Sequence, residues 1–204
     1  FKRVPLLLAM TAEIKEVNTY KAIDVVGMPV LISRGADGIA RAFVNMCSHR
    51  GAQLVDPGVG TARRFACPYH NWTYNQEGDL VGIFKQDDFG QLETSCLGLT
   101  QLPIAERAGL IWVTLSPDSK LDFDAFFAGY DEMLEFCDFA SMNHFGTRIL
   151  AGPNWKISFD GYVDFYHLPI LHKNTFGPDM SPDALFHRVG PHQRVTGPRG
   201  NWAK

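Results

Sequence analysis

The chain has 204 residues, a formal net charge of −3, and 46% apolar and 20% charged residues. This length suffices to bury one large core or two small ones, and so weak a charge argues against a nucleic-acid or membrane-surface partner. The apolar run over residues 4–10 is interrupted by Pro5 and is too short to span a bilayer. Free cysteines without a disulfide framework favour the cytoplasm.

The first half of the chain has the pattern of a β domain. Turn residues such as Gly27, Gly38 and Gly58 separate short apolar or alternating runs. Strands are predicted at residues 19–23, 29–34, 39–45, 63–66, 71–74 and 109–115.

The second half of the chain is rich in phenylalanine, since ten of the fifteen lie after residue 120. We expect an aromatic core or cavity there. Asp122 is a candidate N-cap for a helix through about residue 136. Asn154 is a candidate N-cap for a second helix through about His167, which Pro169 would end.

The remaining part of the second half has weaker signals. Residues 145–150 have the pattern of a strand, and frequent Pro and Gly after residue 175 predict a loop. A composition change near 115–120 predicts two domains, 1–115 and 116–204.

Two short clusters in the first half carry the strongest chemical signal. Each supplies one thiol and one imidazole: Cys47 with His49, and Cys67 with His70. Two Cys and two His are the protein ligands of a Rieske [2Fe–2S] centre, in which two thiolates hold one iron and two imidazoles hold the other. A structural zinc site uses the same side chains, although zinc fingers usually group Cys with Cys and His with His. The other two cysteines, 96 and 137, are expected to be buried as small apolar residues.

A second constellation comprises Asp164, His167 and His172. Asp164 and His167 are three residues apart and are predicted to share a helical face, and the chain must turn after Pro169 to bring His172 back. Two imidazoles and a carboxylate form the facial triad of non-haem Fe(II) oxygenases. An isolated His pair of this spacing is nevertheless more often exposed or hydrogen-bonded than metal-bound.

The stretches NMCSHRGAQL and CPYHNWTY resemble the Rieske domain of the large (α) subunits of bacterial ring-hydroxylating oxygenases. The resemblance implies that Cys47 and Cys67 bind one iron and that His49 and His70 bind the other. One departure is Asn71, where the family usually has Gly. Because Asn tolerates a left-handed backbone better than most residues, we expect the loop to close.

The stretch NWKISFDGYVDFYHLPILH resembles the second motif of the same family, Asp-x2-His-x4-His. The resemblance implies that His167 and His172 ligate a mononuclear Fe(II), and that Asp164 links His167 to His70 of a neighbouring subunit in a trimer. It also implies a third ligand, a carboxylate, downstream of this chain. Asp179 and Asp183 are weak candidates for that role, and His144, His187 and His192 are expected to be structural or exposed.

The resemblance implies an α+β fold: an all-β Rieske [2Fe–2S] domain, then the start of a helix-grip (START-like) catalytic domain with an antiparallel sheet. It implies an oxygenase of aromatic hydrocarbon catabolism that hydroxylates a small apolar, aromatic substrate with O2. Electrons would come from NAD(P)H through a separate reductase or ferredoxin, and a homotrimer with or without β subunits is expected. Two alternatives stay open: a Rieske electron carrier without an oxygenase site, and a zinc-stabilised interaction domain.

Overall fold

The structure is a computed structural model that describes residues 1–177 and 180–198. The chain divides into two units. Unit 1 comprises residues 1–123 and 131–144, and unit 2 comprises residues 124–130 and the chain from 145 onward. The domain limits inferred from the sequence, 1–115 and 116–204, stay a prediction.

Unit 1 is built from short antiparallel strands. They are β1 (Leu6–Met10), β2 (Thr19–Val25), β3 (Met28–Arg34), β4 (Ala40–Val44), β5 (Gly58–Thr61), β6 (Phe65–Ala66), β7 (Thr73–Tyr74), β8 (Leu80–Gly82), β9 (Gln101–Leu102), β10 (Ile104–Arg107) and β11 (Leu110–Val113). Four 3₁₀ turns lie in the same unit, at Thr11–Ile14, Gln86–Phe89, Thr94–Cys96 and Phe139–Ser141. The strands predicted from alternation at 19–23, 29–34, 39–45 and 109–115 are confirmed, with small shifts of their ends.

These strands form three sheets, in which every pairing is antiparallel. The largest sheet has the order β5-β2-β3-β4-β9, and the two smaller ones have the orders β1-β11-β10 and β6-β7-β8. Short hairpins connect most neighbours, as is usual for antiparallel sheets. The all-β half expected from the sequence is therefore confirmed.

The central strand β3 is buried on both faces, and each face packs into its own core. Val30 and Ile32 belong to the cluster that includes β1 and β11, whereas Leu31 belongs to the cluster that includes β6, β7 and β8. All three side chains are fully buried. Because successive side chains of a strand point to opposite faces, one apolar run supplies both cores. The second core also contains Cys47 and Cys67.

The single helix predicted over 122–136 is two helices, α1 (Phe123–Phe127) and α2 (Tyr130–Glu135). Between them Ala128 and Gly129 have left-handed φ angles of 51° and 85°. A right-handed helix cannot continue through such residues, so the apolar spacing that suggested one helix is interrupted by the backbone.

Unit 2 contains three further helices and one hairpin. They are α3 (Trp155–Val163), α4 (Leu168–Leu171), α5 (Lys173–Phe176), and the strands β12 (Leu185–Val189) and β13 (His192–Thr196). Asn154 caps α3 as predicted, because its Oδ1 accepts the backbone N–H of Lys156 at 3.0 Å.

Three predictions for the second half are wrong in detail. The helix that starts at Trp155 ends at Val163, and Pro169 lies in the first turn of α4, where its missing N–H costs little. Residues 145–150 form no regular element, and the loop predicted after residue 175 contains the β12–β13 hairpin. A β-rich pattern without a partner strand does not become a strand, since each strand needs a neighbour for its backbone hydrogen bonds.

Candidate metal centres

The loops after β4 and β6 close in the same way. In each, the Cys N–H donates to the carbonyl five residues on, and the N–H four residues on donates back to the Cys carbonyl. The distances are 2.8 and 2.9 Å in the loop of Cys47, and 2.7 and 2.9 Å in the loop of Cys67. The residue at the fourth position is left-handed in both, with φ angles of 74° at Gly51 and 57° at Asn71. Asn71, which stands where the family usually has Gly, therefore adopts the left-handed conformation expected at this position.

These two loops bring all four predicted Rieske side chains into one region of unit 1. Cys47 and Cys67 are buried in the same apolar core, with no disulfide between them. The rings of His49 and His70 lie beside each other, with centroids 4.8 Å apart. In each ring Nδ1 is buried and has no hydrogen-bond partner.

The unpartnered Nδ1 atoms are the observation that tests whether an iron–sulfur cluster fits. A buried polar atom without a partner is costly, and native proteins rarely retain one. One iron bound by both nitrogens would satisfy both atoms, and the two buried thiols supply the donors for a second iron. The donor set therefore fits two imidazoles on one iron and two thiolates on the other.

The surroundings of His49 favour its neutral form, which is the form that binds metal. Burial lowers the pKa of His49 below its usual value, and the charges of His70 and Arg50 lower it further. The indole of Trp72 stacks on the His49 ring, with centroids 4.6 Å apart and planes 9° from parallel.

The hydroxyl of Tyr74 fastens the first loop. It lies 3.1 Å from Cys47 Sγ and 2.8 Å from Ser48 Oγ, and it accepts the Ser48 backbone N–H at 3.1 Å. Ser48 Oγ in turn donates to the carbonyl of Leu97 at 2.6 Å. Burial raises the pKa of Tyr74 to about 12, and the hydrogen bond with Cys47 contributes to the rise. The hydroxyl therefore keeps its proton at neutral pH and can donate a hydrogen bond to a thiolate.

An open cleft of about 730 Å³ lies beside the two histidines. Its lining residues are His49, Ala66, Cys67, Pro68, Tyr69, His70, Asn71, Phe84, Lys85, Asp88 and Phe89. Sequence reasoning identified the ligand loops but missed the wall formed by residues 84–89. No regular spacing marks that wall, and the one available signal is the Gly90 that ends its turn.

The second constellation is local to unit 2. After α3 the backbone of Asp164 is extended, and its Oδ1 accepts the N–H of Tyr166 at 2.8 Å. This turn brings Asp164 Oδ2 within 3.1 Å of His167 Nδ1. The His167 and His172 rings lie 5.3 Å apart between centroids. Asp164 and His167 therefore meet through a turn rather than on one helical face as predicted.

The Asp164 carboxylate orients its neighbour. The hydrogen bond from His167, together with the Tyr166 N–H, holds the pKa of Asp164 below its usual value. When Nδ1 of His167 donates to this carboxylate, Nε2 carries the free lone pair for a metal. Asp160 is exposed, one turn earlier on α3.

The other candidates have different surroundings. Cys96 and Cys137 are exposed, contrary to expectation, because one lies in a surface 3₁₀ turn and the other follows α2. His192 Nε2 lies 2.7 Å from the carbonyl of Phe126, which is a structural contact. Asp179 lies outside the described residues. Within residues 1–177 and 180–198, no three His, Cys, Asp or Glu side chains converge on one metal position.

Comparison with protein families matches both parts of the chain. Residues 5–96 match the Rieske [2Fe-2S] domain, and residues 139–204 match the catalytic domain of the ring hydroxylating alpha subunit. In the part of the chain that the structure describes, no helix is long and apolar enough to cross a membrane.

Individual relatives act on two kinds of substrate. The carnitine monooxygenase oxygenase subunit of Escherichia coli (strain K12) is 28% identical, over 99% of this chain and 52% of its own length. The anthranilate 1,2-dioxygenase large subunit of Burkholderia cepacia is 31% identical, over 81% of this chain and 41% of its own. The solved structure of the quaternary ammonium Rieske monooxygenase CntA with an inhibitor superposes with a TM-score of 0.87 at 25% identity, covering 97% of this chain and 55% of that one. The chain thus spans about half the length of the curated relatives it matches.

Proposed function

The chain belongs to the family of Rieske oxygenase large subunits, and we therefore propose that it acts in a terminal oxygenase that hydroxylates a small organic substrate with O2. The two family domains imply a Rieske cluster and a mononuclear iron. When bound, the cluster supplies single electrons received from a reductase or ferredoxin, and the mononuclear iron supplies O2 activation. The protein supplies ligands, orientation and shielding from water.

One observation carries this proposal: the buried Nδ1 atoms of His49 and His70 lack partners beside two buried thiols. Cys47 and Cys67 would hold one iron through their thiolates, and the two Nδ1 atoms would hold the other. The electron-carrier alternative shares this centre. The family match of residues 139–204 to an oxygenase catalytic domain favours the oxygenase.

His167 and His172 would hold the mononuclear iron. Asp164 would orient His167 through the contact at 3.1 Å. Its side chain is 49% exposed, so the carboxylate can also accept a hydrogen bond from outside the chain. We propose that this second donor is the partner subunit's His70 in a homotrimer, because a carboxylate shared by two imidazoles orients both rings.

For the substrate we propose a small quaternary ammonium compound. CntA superposes with a TM-score of 0.87, whereas two naphthalene 1,2-dioxygenases superpose with TM-scores of 0.69 and 0.74. The segment around the second motif also carries Phe165, Tyr166 and Phe176, and aromatic faces attract such cations. The apolar aromatic substrate expected from the sequence stays the alternative. Product formation from carnitine and from naphthalene, measured side by side with a reductase, separates the two.

Metal analysis tests the core of the proposal. The purified protein should contain iron and acid-labile sulfide, and its reduced form should give the electron paramagnetic resonance signal of a Rieske cluster. Cys67→Ala should abolish that signal. The double variant His167→Ala/His172→Ala should retain it but lose the mononuclear iron. Zinc without sulfide would refute the proposal, and an unchanged iron content in the double variant would favour the electron carrier.

Asp164→Ala tests the bridge between the two sites. We expect the cluster signal and its potential to persist while substrate turnover falls by at least an order of magnitude, because only the link between the sites is cut. Asp160→Ala, one helical turn away, is the matched control. Normal turnover in Asp164→Ala would contradict the bridging role.

A further inference from the structure

Residues 84–90, which we call the cover turn, supply one wall of the cleft beside His49 and His70 through Phe84, Lys85, Asp88 and Phe89. The 3₁₀ turn Gln86–Phe89 lies between two left-handed residues, Lys85 with a φ of 52° and Gly90 with a φ of 69°. These two backbone reversals fix the path of the turn. They bring its last side chain, Phe89, back against the ligand loops.

Phe89 is the residue of the cover turn that contacts the aromatic stack on the first loop. Its ring meets the His49 ring edge to face, with centroids 6.3 Å apart and planes at 84°. It meets the Trp72 ring in the same way, at 6.2 Å and 75°. Trp72 itself covers the His49 ring in a parallel stack. Two aromatic rings thus pack against one imidazole, one on its face and one at an edge-to-face angle.

We propose that Phe89 is a positioning residue that, together with Trp72, keeps water away from His49 and thereby sets the reduction potential of the cluster. The proposal rests on the proposed role of His49 as an iron ligand. Phe89 is 43% exposed, so one side of its ring faces solvent while the other covers the stack. Removing the ring would open a path for water to the imidazole.

The sign of the effect follows from charge. With both irons ferric, the iron charges are balanced by the sulfides and the two thiolates, and reduction adds one negative charge. An apolar surrounding disfavours the charged form, and solvent access around a metal site is one of the protein's levers on its potential. Water admitted at His49 therefore favours reduction and raises the potential.

Phe89→Ala is the test, and Phe84→Ala is its matched control. Phe84 lies on the same wall of the cleft and is 60% exposed, and the Lys85 ammonium lies 5.8 Å from its ring centroid. We expect Phe89→Ala to shift the one-electron reduction equilibrium about three- to tenfold toward the reduced form, or about 28 to 59 mV at 59 mV per tenfold. Phe84→Ala should leave it unchanged. Phe89→Leu, which keeps an apolar side chain, should restore most of the original value.

The readouts are a redox titration followed by electron paramagnetic resonance and the acrylamide quenching of tryptophan fluorescence in the cluster-free protein. Quenching should increase in Phe89→Ala and not in Phe84→Ala, since only the former uncovers Trp72. If Phe89→Ala binds too little cluster for the titration, Phe89→Leu must show an increase of the reduction potential that is smaller than the one expected for Phe89→Ala. An intact cluster signal with equal potentials in the Phe89 and Phe84 variants overturns this inference alone, whereas absence of the signal in the unmodified protein overturns the proposed function.

Discussion

Replacement of Tyr74 by Phe tests how the first ligand loop is held before any metal binds. The substitution keeps the fully buried ring and removes only the hydroxyl. That oxygen contacts Cys47 Sγ and Ser48 Oγ and accepts the Ser48 N–H. In Tyr74→Phe the Ser48 N–H loses its acceptor, and the loop loses its connection to β7.

The expected loss is about 2 kcal/mol. A hydrogen bond contributes a net ~0.5–1.5 kcal/mol, and leaving a partly buried donor without an acceptor costs a further ~1–3 kcal/mol. Solvent reaches Ser48, which is exposed, so the lower part of this range applies. A loss of about 2 kcal/mol raises the population of the open state of unit 1 by roughly 30-fold.

Amide hydrogen exchange in β3 measures this loss in unit 1 separately from unit 2, because buried central strands exchange through the largest openings. The cluster-free protein is used, so that metal binding does not contribute. Tyr20→Phe is the control, because the Tyr20 hydroxyl lies outside this network. The Tyr20 ring packs on Phe65, in the same core as Tyr74. Equal protection factors in the two variants would refute the anchoring role of the Tyr74 hydroxyl.

Three further predictions concern backbone and charge. Asn71→Ala should destabilise unit 1 by ~1 kcal/mol, because Ala is strained at a φ of 57°. Asn71→Gly should not destabilise it, and equal amide exchange rates of β3 in the two variants would contradict the strain. Burial opposes ionisation of Glu106, but hydrogen bonds from Arg34 and Thr11 outweigh it and lower its pKa, so it stabilises the fold at neutral pH and loses that contribution as pH falls below 4.5. In urea titrations from pH 7 to 3, the free energy of unfolding should therefore fall less steeply with pH in Glu106→Gln than in the unmodified protein. Parallel stability curves for the two proteins would show that the Glu106–Arg34 pair does not contribute to the acid-dependent loss of stability. Asn154→Ala should destabilise α3 by ~1 kcal/mol, because it removes the N-cap of this helix. Amide hydrogen exchange should become faster in α3 and stay unchanged in β12.

The ligand loops show what local patterns can predict. The spacing of Cys and His within each cluster indicated the donor set, and Asn71 indicated a left-handed turn. Both interpretations depend only on residues within six positions of each other. The closure of each loop by a Cys N–H and a left-handed fourth residue is likewise a local property.

Elements in the second half were harder to predict because their signals compete. The apolar spacing over 122–136 suits one helix, yet the backbone reverses at Ala128 and Gly129. Residues 145–150 have strand-like composition but no partner strand among the described residues. Helical spacing and β propensity are weak where tertiary partners decide the outcome.

By itself the sequence determined the chemistry of the site: two thiols, two imidazoles, and an Asp with two further His, at spacings that match one oxygenase family. Only the tertiary structure decided which atoms are available, namely the Nδ1 atoms of His49 and His70, and what surrounds them. Tyr74, Leu97 and Phe89 reach the ligand loops from strands and turns far along the chain. Contacts over such separations depend on how the sheets pack, which residue spacing does not encode.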